Sequence, residues 1–564
     1  MKHTIKKTAW NNNVISQYSY FIMNRIFSFL NSKPGSLIII VFAIAERIIN
    51  VLYVSFAGRD KMLLVLQSKS LLDGKGLSIP QYFTSNLETP VYDFTPFWPP
   101  GYPVLLAPIL KIFNYDVYWS TTIFDIIVSI AFIFLVRKIA LQLNFPLAAA
   151  NILTLIAGCF EYPFIYESLP TDTISLVFFL TGLLFVLQIA VSEKFLWGKL
   201  LLAAFFLFLP YVFRYSYPPL SAAVPLGIII LGLMNRNRLL VKKGIWVFII
   251  TAALIAVFTI FLNATTGSAG YILKTERGLF PENLIHWHPF VTASFINLPF
   301  LTSQANKIAG LSLNQTLTIL EIINAIIVFV IIALFLYLLF KKKFFLSPDK
   351  FNIYLFLGFI ISAATCLSLG YLSFTYQIQN LFQHSWNYIG ESRYYAFIHV
   401  FLQTVFVGWV FLYPAAWKKS LFQKAIIFIF AALFFIEVVH NIYFNTKVAF
   451  NFREYKSTHY KELDFAYFNS LIDSVIKKNP DADIVVASDN DHFNPYTAAF
   501  LDKKGIFDGV NLNRILPKVK KRTILLVVLY DYELPAYNAF LSNNNVQFLN
   551  RVLSSNYYMM ELNP

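Results

Sequence analysis

The sequence predicts an all-α polytopic membrane bundle of about eleven transmembrane helices, with amphipathic helices in its outer-face loops and a small soluble α/β domain at its C-terminus. Composition is the first reason: 57% of the 564 residues are hydrophobic and 13% are charged, whereas soluble domains carry nearer a quarter charged residues. The second is the repeated occurrence of apolar runs of about 20 residues, the length that crosses a bilayer. The third is a tail whose composition is that of a soluble domain.

The first apolar run follows a polar and basic tail, 1–36, and is long enough to span the membrane rather than act as a cleaved signal. The eleven predicted spans lie near 37–57, 118–136, 146–165, 174–191, 195–212, 218–234, 244–262, 317–340, 351–372, 395–414 and 425–443.

The net charge of +15 has three interpretations: nucleic-acid binding, acidic lipid or membrane topology. Lysines and arginines cluster in every second loop, as in Arg137–Lys138 and Lys341–Lys343, which favours topology. No nucleic-acid module is visible, so no nucleic-acid partner is expected. The N-terminal tail is then cytoplasmic, and an odd number of spans places 444–564 outside. The Phe, Ile, Asn and Lys bias indicates an AT-rich bacterial genome. The expected location is the bacterial inner membrane, with this face in the periplasm.

The outer loops 58–117, 263–316 and 373–394 hold most of the unusual sequence. Long loops are usually functional, so three of them on one face predict an active site there. In the tail, DADIVVASD and RTILLVVLYD resemble buried parallel strands. They predict the non-cytoplasmic α/β domain.

Asp60 is the first candidate catalytic residue. It follows the first span directly, and LLVLQSKSLLDGKG after it has the spacing of an amphipathic helix lying along the outer interface. A carboxylate partly withdrawn from water at the mouth of the bundle can act as a general base. The alternatives are a solvated helix cap or an ion pair with Arg59.

Asp172 is the second candidate, at the outer end of the fourth span. An acid at that depth is costly and is a functional candidate, although aspartate is also a favoured residue at a helix start. Glu161 and Glu167 lie nearby and could replace it.

Arg214 and Arg393 stand at the outer ends of the fifth and tenth spans, where basic residues are scarce. Each can bind phosphate in bidentate fashion or pair with an outer carboxylate. His286 and His288 have the i, i+2 spacing of a strand-borne metal pair, or are interfacial residues.

Charged residues also fall inside the spans. These residues are Asp125, Glu46 and Arg47, and Glu46 and Arg47 are expected to form or join buried pairs.

Four passages together resemble the glycosyltransferase-C superfamily, in the branch of protein O-mannosyltransferases and bacterial aminoarabinose and lipopolysaccharide-core sugar transferases. They are GRDKMLLVLQSKSLLDGKG, TPFWPPGYPVLLAP, SLPTDTISLVFFLTGLL and ESRYYAFIHVFL. The likeness covers about 1–440, and each motif alone is moderately specific.

The resemblance implies a polyprenyl-phosphate sugar donor, a glycan or lipid acceptor and an inverting single displacement. Asp60 would be the base, Arg393 and Arg214 would bind the donor phosphate, and Asp172 would position the acceptor, a metal or the loop.

Two departures from the family pattern bear on the metal and the acceptor. Some relatives bind a divalent metal through an acid before the double proline. Here Trp98 stands at that position, with Asp93 further back as a candidate acceptor or metal residue, so the sequence leaves a divalent metal open and indicates no other cofactor. Lys61 replaces the second of two adjacent acids, which makes protein O-mannosylation the less favoured activity. The rival hypotheses are a transporter or flippase of lipid-linked glycans and a non-catalytic membrane scaffold.

Overall fold

The computed structural model describes most of the bundle and the tail. The described residues are 25–53, 59–83, 86–94, 99–159, 170–215, 217–266, 396–412, 421–450, 465–488, 497–499, 501–506, 519, 521–531, 534–543, 546–552 and 555–563.

Each predicted span within these residues falls on a helix, and the spans at 317–340 and 351–372 lie outside them. The bundle helices are α1 (Lys33–Tyr53), α4 (Val117–Gln142), α5 (Leu147–Cys159), α6 (Pro170–Val191), α7 (Trp197–Phe213), α8 (Pro218–Met234), α9 (Arg238–Thr266), α10 (Ala396–Leu412) and α11 (Leu421–Phe450).

Four helices of the described part, namely α1, α6, α9 and α11, are long and apolar enough to cross a membrane. Large apolar side chains such as Val257, Ile260 and Phe435 are exposed on the outside of the bundle, where water would disfavour them. Between the helices, small residues allow close packing, as where Gly158 of α5 meets Ala43 of α1. The chain is an integral membrane protein.

The first outer loop contains more regular structure than the sequence predicts. Helix α2 (Arg59–Leu72) is followed by the strands β1 (Ser78–Phe83) and β2 (Asn86–Phe94) and by helix α3 (Gly101–Ile112). The helix expected after Asp60 is present as α2, but it does not lie along the interface with a wet face. Residues 61–68 are all buried, because α3 and the C-terminal segment cover the helix.

The C-terminal segment forms a mixed sheet with flanking helices. Its elements are α12 (Phe465–Lys478), β3 (Asp483–Ser488), β4 (Lys504–Ile506), β5 (Thr523–Tyr530), α13 (Leu534–Asn543), β6 (Gln547–Val552) and β7 (Ser555–Leu562).

The two predicted strands are β3 and β5, which pair in parallel. The sheet order is β2-β1-β4-β3-β5-β7-β6, so the hairpin of the first outer loop extends the sheet of the tail. Helix α11 continues to Phe450, past the end at 443 that the sequence predicts for the last span.

Candidate active site

The second acid and the first outer arginine form a buried ion pair. Asp172 lies in the first turn of α6, and its Oδ1 is paired with Nη1 of Arg214, which follows the last residue of α7. The two side chains are 2% and 15% exposed, respectively. Of the two interpretations of Arg214, the structure therefore contains the ion pair, and its carboxylate partner is Asp172. The pair leaves little net charge in the apolar surroundings.

Local sequence explains why Arg214 stands at this place. Its backbone is extended, with φ −154° and ψ 119°, which ends α7 at Phe213. The Arg214 N–H donates to the carbonyl of Pro210 at 2.8 Å. Pro218 and Pro219 then begin α8, since proline is well suited to the first turn of a helix. The arginine is thus held in a short turn between two helices.

The first acid stands beside a second buried ion pair. Asp60 is half-buried in the first turn of α2. The next residue, Lys61, donates from Nζ to Oδ2 of Asp125 at 2.6 Å, and these side chains are 4% and 6% exposed. Asp125 lies within α4. The Lys61–Asp125 pair holds the start of α2, and with it Asp60, against the bundle.

Helix α3 connects the two ion pairs. The Tyr102 ring is fully buried, and its centroid is 5.2 Å from that of Phe124, the residue before Asp125. The preceding Gly101 lies against the end of α7, where a Cβ would come within 2.7 Å of the Val212 carbonyl oxygen. The Pro-Pro-Gly-Tyr-Pro passage thus packs against the residue before Asp125 and against the end of α7, directly before Arg214.

Replacing Gly101 with alanine should separate α3 from α7. The added methyl group would meet backbone and the ring of Phe213 at 2.8 Å, so the helices must move apart. Overpacking of this kind costs about 1–3 kcal/mol, and thermal unfolding of the purified protein in detergent measures it. Gly198→Ala in α7 is the matched control, because nothing lies within 4 Å of its added carbon. Equal melting temperatures for both variants would contradict the close contact.

The architecture is similar to that of a solved sugar transferase. ArnT from Cupriavidus metallidurans bound to undecaprenyl phosphate aligns with a TM-score of 0.52 and 11% identity, over 94% of this chain and 98% of ArnT. ArnT in the apo state aligns with a TM-score of 0.51 and 11% identity, over 90% of this chain and 95% of ArnT. ArnT, an aminoarabinose transferase, is a glycosyltransferase-C protein. This chain has the glycosyltransferase-C fold.

Sequence comparisons alone do not reach this result: no family model matches the chain, and no curated protein matches it. An oligosaccharyltransferase from Archaeoglobus fulgidus in the apo form also aligns, with a TM-score of 0.45 and 12% identity, over 92% of this chain and 70% of that protein.

Several candidates in this glycosyltransferase-C fold remain predictions. Glu161, Glu167, His286, His288 and Arg393 lie outside the described residues.

Asp93 is described, and it lies exposed on the edge strand β2, where it accepts a hydrogen bond from Gln81 Nε2 at 3.4 Å. Within the described part of the chain, no three His, Cys, Asp or Glu residues are grouped to hold a metal ion. The divalent metal therefore stays a prediction.

The charged residues of the first span contact different groups. Glu46 accepts from Asn445 Nδ2 of α11 at 2.8 Å, and Arg47 donates from Nε and Nη2 to the Ala157 carbonyl at 3.0 and 2.8 Å. Sequence reasoning missed the asparagines of α11. Their signal was the spacing of Asn441 and Asn445, two amides one turn apart in an apolar helix.

Proposed function

We propose that this protein is a membrane glycosyltransferase that moves a sugar from a polyprenyl-phosphate donor to a glycan or lipid acceptor on the non-cytoplasmic face. The observation that carries this proposal is that α2, which begins with Asp60, and the end of α7, which precedes the Arg214–Asp172 pair, both pack against α3. The fold supports it, since ArnT with the same fold has been solved with undecaprenyl phosphate bound.

Asp60 is the general base in this proposal. It is only half-buried, so an acceptor hydroxyl can reach it. The carboxylate takes the hydroxyl proton as the oxygen attacks the anomeric carbon of the donor sugar. The bond from that carbon to the phosphate oxygen breaks, and the lipid phosphate leaves with the electron pair. A single displacement of this kind inverts the anomeric configuration.

Arg214 stabilises the negative charge that develops on the leaving phosphate. A guanidinium has five N–H donors in a planar fork, so it can bind a carboxylate and a phosphate along different edges. Asp172, which is almost fully buried, orients that fork and does not take the acceptor proton. Its position in the first turn of α6 also places its charge near the positive end of the helix dipole.

Arg393 is the second phosphate ligand in this proposal. It precedes α10 by three residues, and Phe401 of α10 packs on Phe179 of α6 with ring centroids 6.0 Å apart. Phe179 lies about two turns after Asp172. The predicted topology places the starts of α6 and α10 on the same outer side, which would bring Arg393 near the pair of Arg214 and Asp172.

The products of the reaction test this function. The purified full chain is reconstituted in vesicles with undecaprenyl-phosphate hexoses and pentoses and with membrane glycolipid from a bacterial host. We expect equal amounts of undecaprenyl phosphate and glycosylated acceptor from at least one donor, with the anomeric configuration inverted. Intact donor that crosses the bilayer without cleavage would instead identify a flippase. Neither cleavage nor movement would favour the scaffold hypothesis.

A further inference from the structure

The far end of α2 is fastened to the C-terminal segment. Lys69 Nζ donates to the Ala499 carbonyl at 2.8 Å and to Asp502 Oδ1 at 2.5 Å. The Lys69 side chain is 12% exposed and that of Asp502 is 74% exposed. A mostly buried lysine is therefore paired with a carboxylate on the surface of the tail. Lys61, at the start of the same helix, is fastened to the bundle through Asp125. The two lysines are about two helical turns apart.

The loop hairpin makes a second connection to the same segment. Strand β1 pairs in parallel with β4 through Tyr82 and Ile506. Lys504 of β4 lies 5.8 Å above the Tyr82 ring and also pairs with Asp483 of β3. Burial raises the pKa of the Tyr82 phenol above its ordinary value, with Tyr92 and Asp483 adding to the effect, so Tyr82 is neutral at this junction.

Apolar packing is continuous across the boundary. One hydrophobic core contains Met62 and Leu66 of α2, Phe468 and Ile472 of α12, and Tyr102 of α3. The same core also includes Phe213, next to Arg214. Among the described residues, the tail and the helix that carries the proposed base therefore share one core.

We propose that the C-terminal segment is a clamp that sets the position of Asp60, and that Lys69 is its positioning residue. The inference rests on the function proposed above. A short helix whose eight central residues are buried cannot keep its place in an outer loop unless both faces are covered. Side chains of α3 and of α12 share one core with α2, and Lys69 joins α2 to the tail directly, so the reach of Asp60 into the site depends on the tail. A tail that only bound glycan would not need these contacts.

Activity measurements on Lys69 variants test the clamp. Lys69→Met should reduce kcat by up to about 10²-fold with little change in KM, because a displacement of about 1 Å can cost that much. Lys69→Arg should retain most of the rate. Asp502→Asn should reduce kcat less than Lys69→Met does. Asparagine is the replacement of choice because it tolerates the positive φ of 51° at this position. Arg522→Met is the matched control, because it removes an exposed ion pair with Glu561 on the same sheet.

A labelling measurement makes the test independent of turnover. Ser70 is buried on α2, so Ser70→Cys, in a chain with Cys159 and Cys366 replaced by alanine, should react slowly with a membrane-impermeant maleimide. Adding Lys69→Met should speed the reaction severalfold, and adding Arg522→Met should not. If Lys69→Met speeds the labelling but the unmutated protein transfers no sugar, the contact between tail and α2 is supported and the proposed function is contradicted. Unchanged labelling together with unchanged kcat, or a rise in acceptor KM alone, would overturn the clamp.

Discussion

Replacing Asp60 with asparagine should reduce sugar transfer by about 10²–10⁴-fold, the range over which a positioned general base contributes to a reaction. Asparagine has nearly the same shape and keeps the half-buried position at the start of α2. It cannot accept a proton from the acceptor hydroxyl. The loss should therefore appear in kcat, while binding of the donor changes little.

The measurement is the release of undecaprenyl phosphate from the donor by reconstituted protein. Asp73→Asn is the matched control, because Asp73 follows the last residue of α2 and is exposed, so the same chemical change there should leave turnover unaltered. Undiminished turnover in Asp60→Asn, with the protein folded, would remove Asp60 as the base and leave the reaction without its proton acceptor.

The sequence predicts which polar residues lie within or at the ends of the spans, but it does not predict the contacts between distant residues. Hydropathy places Asp125 within a span and Asp172 at the end of one, and both are buried. Hydropathy carries no information about which charges meet, however. Lys61 and Asp125 are 64 residues apart in the chain, and in the sequence Lys61 stands out only as a departure from the family pattern.

The position of α2 shows a second limit of the sequence. Its alternation of leucine with serine, glutamine and lysine predicts a helix half in water, and the helix is there. Its polar face is nevertheless buried, with Gln67 and Ser68 among the buried residues. The cause is the packing of α3 and the tail on α2, and the sheet of the tail incorporates β1 and β2 from the same loop. Pairing between a loop near residue 82 and a strand near residue 506 leaves no local pattern in either segment.

The buried pair of Lys61 and Asp125 leads to the second large expected effect. Asp125→Asn would remove the Asp125 charge from the Lys61 ammonium in surroundings that are almost closed to solvent. Removing one member of a buried pair costs about 3–5 kcal/mol, a large part of the stability of an ordinary domain. Asp531→Asn is the control, since it removes a much more exposed carboxylate from Arg551 and should change stability little.

A double variant separates the charge from the shape of this pair. Lys61→Met with Asp125→Leu replaces both ions by apolar side chains, which is often neutral or stabilising when the volume is kept. We expect it to recover most of the melting temperature lost in Asp125→Asn, measured on purified protein in one detergent. Recovery would show that the isolated charge caused the loss and that α2 can be held in place by packing. If the double variant melted at as low a temperature as Asp125→Asn, the ion pair itself would be required to hold α2 on the bundle. The position of Asp60 would then depend on this ionic contact as much as on the clamp formed by the tail.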